Sequence, residues 1–250
     1  MKYRTLVLLA LLSLLTPALV AGKKTDDADK KTSGLVDEGT FAIFQNGQRL
    51  GSETFAIHQY AASSVTSSEV RLDSGQPGGA LQQSSELTLK PDGSLSRYEW
   101  KQQSPTEGSV TVVPSDQFLT MHTVAGGKSK DQSFFLMPGA FILDDYFFST
   151  REVLLWRYLA SACKPRPTGE GCDYVRERYP VLVPRRNTSA EVYIEFKGYD
   201  DTPLDGRPQH LRHFVMQTDG PDWNLWMNSD YKLLRISIPD ANTEVLRQEK

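Results

Sequence analysis

The stretch FAIFQNGQRLGSETFAIHQY, residues 41–60, decides the start of the fold because it predicts a tight β-hairpin. Apolar residues alternate with others on both sides of Asn46 and Gly47, as in a strand with one buried face. An Asn-Gly pair supplies the positive φ angles that a type I′ turn requires. Gly51 falls inside the second strand, where glycine indicates a bulge or a close approach of a neighbouring backbone. The folded part therefore begins with an antiparallel pair of strands.

Strand patterns continue along the rest of the chain, to a total of about a dozen. Each is short, half apolar and bounded by turn residues. The further segments are 63–73, the hairpin 84–102, 108–113, 116–124, 132–137, 179–184, 190–199, 210–219, 223–228, 232–239 and 243–248. The segment YDDTPLDG (199–206) is interpreted as a solvated hairpin loop, because it lacks the alternation and the closing glutamate of a calcium loop.

One helix is predicted, over STREVLLWRYLASAC (149–163). Ser149 and Glu152 stand at the spacing of a capping box, in which the two side chains satisfy free backbone N–H groups at the helix start. The apolar residues that follow form a broad face. The preceding segment, PGAFILDDYFFS (138–149), is dense in apolar residues and indicates a strand that leads directly into the helix.

These elements predict a mainly β protein, with a single curved antiparallel sheet or half-barrel and one helix packed against it. A sheet of about twelve strands exceeds the ~10 that open sheets usually reach, so it should curl. We expect the opening hairpin to form the edge of this half-barrel and the helix on the concave face to enclose an apolar space. Residues 35–250 are predicted to form one domain, since no linker interrupts them.

Residues 1–22 have the pattern of a secretory signal peptide. Lys2 and Arg4 precede an apolar run, and Pro17 and small residues follow it. The run is shorter than the ~20 residues of a membrane-spanning helix, which disfavours a permanent anchor. Residues 23–34 are charged and small, and predict a disordered lead-in. We therefore expect a periplasmic or secreted protein that has no transmembrane segment after cleavage.

The two cysteines, Cys163 and Cys172, enclose the short sequence KPRPTGEG. In an exported chain they predict a disulfide that closes a Pro/Gly loop. A redox pair would usually have C-x-x-C spacing, and a zinc site would need four ligands, so both alternatives are disfavoured.

Signatures of catalysis, metal binding and nucleic-acid binding are weak. The net charge is −3 with both signs interspersed, so no basic patch predicts nucleic acid as a partner. His210 and His213 are three apart in a predicted strand and should point to opposite faces, which predicts no metal site. Asp144 and Asp145 lie between apolar runs, where carboxylates can act as acid or base. The favoured interpretation is a polar stop between strand and helix, with one aspartate bonded to backbone. No cofactor is predicted.

Aromatic residues are the remaining functional signal. They bury large areas and often line pockets for apolar ligands, although a filled aromatic core explains them equally well. The candidate ligand-binding residues are Trp100, Phe141, Phe147, Leu155, Trp156, Tyr158, Leu159 and Trp226.

Three passages resemble periplasmic domains of unknown function that are grouped with the lipoprotein-localisation-factor (LolA-like) superfamily. The passages are GTFAIFQNGQRLGSETFAI (39–57), FILDDYFF (141–148) and LWMNSDYKLLRISIPDANTEVLRQ (225–248). The resemblance is one of layout over most of residues 38–248, and it carries over no catalytic residue. It implies an incomplete β-barrel with helix cover and an apolar cavity for acyl chains.

The sequence thus favours an exported, non-enzymatic envelope protein that binds an apolar ligand such as a lipid or a lipoprotein acyl chain. Two alternatives stay open. One is a scaffold or assembly protein that pairs with a partner through a sheet edge. The other is a hydrolase that uses Asp144 or Asp145.

Overall fold

A computed structural model describes residues 34–73, 80–166, 169–172, 175–204 and 206–248, without the side chains of residues 165–171. The predicted signal peptide and nearly all of the predicted lead-in lie outside these described residues. No helix within the described part of the chain has the length and apolar character that crossing a bilayer requires.

The predicted fold class is confirmed: in the described residues, fifteen strands form one open antiparallel sheet, apart from one short parallel pair, and a helix packs against it. The strands of this sheet are β1 Gly34–Gln45, β2 Gln48–Gln59, β3 Ser64–Leu72, β4 Leu81–Leu89, β5 Leu95–Ser104, β6 Gly108–Ser115, β7 Phe118–Ala125, β8 Lys128–Phe135, β9 Phe141–Ile142, β12 Arg176–Val183, β13 Thr188–Leu204, β14 Arg207–Gln217, β15 Trp223–Met227, β16 Leu233–Ile238 and β17 Thr243–Gln248. The helix α1 is Ser149–Ala162, and β10 Cys163–Arg166 and β11 Gly169–Cys172 form a separate two-stranded sheet.

The opening hairpin β1–β2 lies in the middle of the sheet, so the prediction that it forms the edge is wrong. The strand order is β8-β7-β6-β5-β4-β3-β2-β1-β17-β16-β15-β14-β13-β12-β9. The last strand returns to pair with β1, with Ile43 opposite Val245, so both edges of β1 are used. The backbone N–H of Asn46 also donates to the carbonyl oxygen of Asn242 at 2.8 Å, which joins the two turns.

The turn chemistry of this hairpin is as predicted. Asn46 and Gly47 have φ angles of 52° and 75°, as a type I′ turn demands. Gly51 meets both expectations made for it. The β1–β2 register shifts between Ile43 and Phe44, opposite Gly51, and a Cβ added to Gly51 would lie 2.0 Å from the carbonyl oxygen of Arg71. Any larger residue would force β3 away from β2.

The sheet curls until its two ends come within reach of each other. Arg185, in the turn after β12, donates to the side-chain oxygen of Gln83 on β4 at 2.6 Å. A groove of about 420 Å³ is lined by residues of β8 on one side and of β12 and β13 on the other, including Phe134 and Val181. The expected curling is therefore observed, and within the described residues the ends stay unpaired with each other.

Helix α1 lies against the concave face and fills it. Leu154, Leu155 and Tyr158 are each at most 1% exposed and belong to one continuous hydrophobic core. The Tyr158 hydroxyl donates to the carbonyl oxygen of Val175 and accepts from the backbone N–H of Phe196, at 2.7 and 3.0 Å. Burying this helix face supplies most of its stability, as is usual for helices in globular proteins.

Three local predictions need correction. YDDTPLDG is not a solvated loop: β13 runs through it to Leu204, because its register with β14 continues after a shift at Gly198. The apolar segment before the helix forms only the two-residue strand β9. The strand ends before Asp144 and Asp145, whose carboxylates pair with arginines. The cysteine-closed segment is a pair of short strands rather than a plain loop. The predicted disulfide itself is present, with an S–S distance of 2.07 Å between Cys163 and Cys172.

Candidate functional site

The start of α1 is capped by a carboxylate from a distant strand, so the predicted capping box is wrong. Glu53 on β2 accepts from the backbone N–H groups of Phe148 and Ser149 at 2.6 and 3.2 Å, and from the Ser149 hydroxyl at 2.7 Å. The Ser149 hydroxyl also lies 2.8 Å from that of Ser68 on β3. A negative charge at a helix N-terminus is favourable because of the free N–H groups and the helix dipole. Glu152, the other predicted member of the box, lies in a different cluster.

Glu53 is fully buried, and this changes its titration. Desolvation raises the pKa of its carboxyl to about 7, although hydrogen bonds from Ser149, Ser68 and the backbone of Phe148 oppose the shift. The cap therefore becomes fully charged only above neutral pH.

Glu53→Gln should remove a pH dependence from the stability of the protein. The carboxyl titrates near 7 in the folded state and near 4.5 when unfolded, so the folded state binds more protons between these values. Stability from this raised pKa is fully present below the unfolded pKa and is lost as pH rises through the folded pKa. Relative to the variant, we expect the unfolding free energy to fall by about 1.4 kcal/mol per pH unit within that window.

Urea titrations between about pH 5 and pH 7 measure this difference. Glu86→Gln, on the exposed face of β4, is the matched control and should leave the pH dependence of the wild type unchanged. Parallel curves for the wild type and Glu53→Gln would show that the Glu53 carboxyl does not titrate in this range.

Asp144 connects the segment before the helix to both halves of the sheet through hydrogen bonds. It is fully buried, and its carboxylate accepts from the Tyr98 hydroxyl at 2.7 Å, from Arg185 Nε at 2.8 Å and from the backbone N–H of Asp145 at 2.9 Å. Asp145 accepts two hydrogen bonds from Arg186. These contacts fit a structural stop between strand and helix, with one aspartate bonded to backbone.

A second buried cluster joins the first and last strands to the helix. Arg247 on β17 donates to both carboxylate oxygens of Asp37 on β1 at 2.8 Å and lies 3.5 Å from Glu152 on α1. Lys232 Nζ lies 2.9 Å from Asp37. Burial raises the pKa of Asp37, but hydrogen bonds from Glu152, Lys232 and Arg247 outweigh it and lower the pKa. Burial, followed by the charge of Asp37, raises the pKa of Glu152 well above its usual range.

Each of the three passages that resemble LolA-like domains contains a charged residue that takes part in these buried contacts. Glu53 falls in the first passage, Asp144 in the second and Arg247 in the third. The roles of Glu53 and Arg247 were not predicted from the sequence. The available signal was the alternation of side chains along each strand. Glu53 lies on the same strand face as the buried Phe55, and Arg247 lies on the same face as the buried Val245. A charged residue on the apolar face of a strand indicates that a polar group buried beside it binds the charge.

The structure separates the candidate ligand-binding residues into three groups. Five are buried in the core or at its margin: Trp100, Phe141, Phe147, Leu155 and Tyr158. Trp226 lies elsewhere, on the outer face, stacked 4.9 Å from the ring of His213 and 5.0 Å from the guanidinium of Arg235. Trp156 and Leu159 line an open groove, Leu159 from the margin of the core with 7% of its surface exposed. The structure thus brings these two candidates together in one groove.

The groove beside α1, named here the helix groove, has a volume of about 500 Å³. It is lined by Val36, Asp37, Trp156, Leu159, Ala160, Cys163, Lys164, Asp230, Tyr231 and Lys232. Its apolar floor comes from the helix, and its charged residues come from the surrounding strand ends and turns. The indole N–H of Trp156 donates to the carbonyl oxygen of Tyr231 at 2.6 Å, which fixes the ring in place.

A second groove, named here the hairpin groove, lies beside the tip of β13–β14 and has a volume of about 540 Å³. It is lined by Leu35, Val36, Asp37, Glu38, Gly39, Leu204, Gln209, Asn228, Lys232, Leu234, Leu246, Arg247 and Gln248. The two grooves share Val36, Asp37 and Lys232, so they meet at the start of β1.

Among the described residues, no three His, Cys, Asp or Glu side chains are grouped so that they could hold a metal ion. His210 and His213 lie on β14 and contact different aspartates, Asp201 and Asp200. Comparisons of the chain with protein families, with curated proteins and with solved structures found no match.

Proposed function

We propose that the protein is an exported envelope protein that holds the apolar chain of an amphipathic ligand, such as a lipid or a lipoprotein acyl chain, in the helix groove. The observation that carries the proposal is the half-buried, orientation-fixed Trp156 beside Leu159 and the exposed Ala160 on a rigid helix. The proposal concerns binding and includes no chemical step.

The helix groove has the properties of a small-molecule site. Its volume lies within the ~300–1,000 Å³ range of ligand pockets, and apolar side chains with a few polar groups line it. Because the hydrogen bond to Tyr231 holds the indole of Trp156, a ligand need not order that side chain on binding. The core beneath the groove is filled, so the ligand would lie along the helix and not inside the sheet.

Export to the periplasm or outside the cell is part of the proposal and rests on the signal-peptide pattern of residues 1–22. The resemblance to LolA-like domains also stays a prediction. It agrees with an acyl chain as the bound group, and we base no residue role on it.

The sheet edge supports a second candidate function, assembly with a partner strand. Within the described residues β8 pairs only with β7, and Phe135 at its end is 64% exposed beside Phe118. Lys128 and Lys130 on the same strand are typical of edges that avoid pairing. Ligand binding is therefore favoured over edge pairing. Asp144 and Asp145 are each held by an arginine, and we base no hydrolytic proposal on them.

Ala160→Trp should block the helix groove without disturbing the core. Ala160 is exposed and lines the groove, so a large side chain there fills ligand space at little cost to folding. We expect binding of a dansyl-labelled fatty acid, followed by fluorescence titration, to weaken at least about tenfold, equivalent to 1.4 kcal/mol.

Ala160→Ser is the matched control, because it keeps the groove open at the same position. Its affinity should stay within about twofold of the wild type, and circular dichroism should show both variants folded. Unchanged probe binding by folded Ala160→Trp, or no probe binding by the wild type, would remove the basis of the proposed function.

A further inference from the structure

The two grooves are separated only by the start of β1. The β1–β2 register shifts between Leu35 and Asp37, so Val36 stands at an irregularity and contributes to both grooves. Leu35 and Val36 are both more than half exposed. A ligand in the helix groove can therefore reach the hairpin groove by crossing a single residue, with Lys232 beside the crossing.

The two grooves differ in polarity. Helix α1 gives the helix groove its apolar floor, whereas the hairpin groove has hydrogen-bonding groups among its leucines. Gln209, which is half-buried, and Gln248, which is exposed, both line the hairpin groove with side-chain amides. Each amide offers both a donor and an acceptor. Adjacent apolar and hydrogen-bonding spaces match a molecule that has an apolar chain at one end and a polar head at the other.

The charges at the junction do not favour an anionic head. The two cations that line the hairpin groove are both paired with Asp37, Arg247 at 2.8 Å and Lys232 at 2.9 Å. Glu38 lines the hairpin groove and would repel an anion. A neutral head with several hydroxyl or amide groups could use the glutamine amides without disturbing these ion pairs.

We propose that the ligand is an amphiphile with an extended, uncharged, hydrogen-bonding head, and that this head occupies the hairpin groove while the apolar chain lies in the helix groove. The inference rests on the proposed function, since it assumes a chain in the helix groove. It adds the chemical class of the head and makes Gln209 a residue that determines specificity.

Two probes with the same twelve-carbon chain test the inference by isothermal titration calorimetry below their micelle concentrations. Dodecyl maltoside has a neutral polyhydroxyl head, and laurate has a small anionic one. We expect dodecyl maltoside to bind at least about tenfold more tightly to the wild type, equivalent to 1.4 kcal/mol. Ala160→Trp should weaken both probes, because both place a chain in the helix groove.

Gln209→Leu tests the binding of the polar head separately from the binding of the apolar chain. It should weaken dodecyl maltoside at least about fivefold, since a hydroxyl of the head then loses its hydrogen-bond partner, and leave laurate within about twofold. Gln217→Leu, on the same strand but outside both grooves, is the matched control and should change neither affinity.

The outcomes distinguish the two proposals. Equal or tighter binding of laurate, or equal loss of both probes in folded Gln209→Leu, would overturn the assignment of the head and leave chain binding in place. Absence of binding by both probes and by the dansyl fatty acid would overturn the proposed function as well. Selective loss of dodecyl maltoside supports the assignment.

Discussion

Leu155→Asp is expected to abolish the folded state. Leu155 is 1% exposed in the middle of α1 and packs into the continuous core beneath the helix groove. An uncompensated polar or charged group there costs several kcal/mol, a large part of the 5–15 kcal/mol that usually stabilises a domain. Circular dichroism and thermal melting should show no cooperative transition. Leu155→Ala should remain folded but lose roughly 2–5 kcal/mol, measured by urea unfolding.

Ala160→Asp is the control for this effect, because it places the same carboxylate about 1.4 turns further along the helix at an exposed position. It should lower the unfolding free energy by only about 1 kcal/mol, because aspartate is a weaker helix former than alanine and its charge is unfavourable near a helix C-terminus. If Leu155→Asp melted like the wild type and lost only ligand binding, the concave face would hold an empty cavity and not a filled core.

Arg247→Met is expected to have the second largest effect. The substitution keeps the volume of the side chain but leaves the buried Asp37 and Glu152 carboxyl groups with Lys232 as their remaining cation. Removing one partner from a buried ion pair typically costs 3–5 kcal/mol, because a charge is left without compensation. Urea unfolding at neutral pH measures the loss.

Adding Asp37→Asn to Arg247→Met should recover part of the lost stability, since it removes the charge that the arginine compensated. Arg71→Met is the surface control. Its guanidinium lies 3.9 Å from Glu69, with both side chains about two-thirds exposed, and its loss should cost less than about 1 kcal/mol. Equal effects of the two arginine variants would contradict the role given to the buried cluster.

Local chemistry made much of the fold predictable. Asn46 and Gly47 require one turn type, and the alternation around them requires strands, whatever lies next to the hairpin. The helix at 149–162 followed from its apolar face, and the disulfide from the compartment and the spacing of two cysteines. Each of these features depends on residues that are close together in the sequence.

Features that depend on distant pairing were not predictable in the same way. Nothing in residues 41–60 states that β17, about two hundred positions later, occupies the free edge of β1. The prediction of a capping box failed for the same reason, because Glu53 binds the N–H groups that a local capping box would have used. Pattern analysis of one segment cannot rank a partner that another segment supplies.

The candidate site was predictable only in part. Trp156 and Leu159 were among the residues proposed to contact a ligand, and both line the helix groove. The aromatic richness that suggested the other candidates reflects mostly core packing. Lys232 and Val36 were missed, because their role comes from where β1 and the turn before β16 meet in space.

The pairing of β1 with β17 has a consequence for how the chain reaches its native state. The two runs of neighbouring strands, β1 to β8 and β12 to β17, are joined to each other in the sheet through contacts between the first and the last strand. Such contacts have the greatest sequence separation that the chain allows, and folding slows as that separation grows. The sheet cannot be completed until the C-terminal residues have been synthesised. The central seam between β1 and β17 therefore cannot form before every other described strand of the sheet has been synthesised.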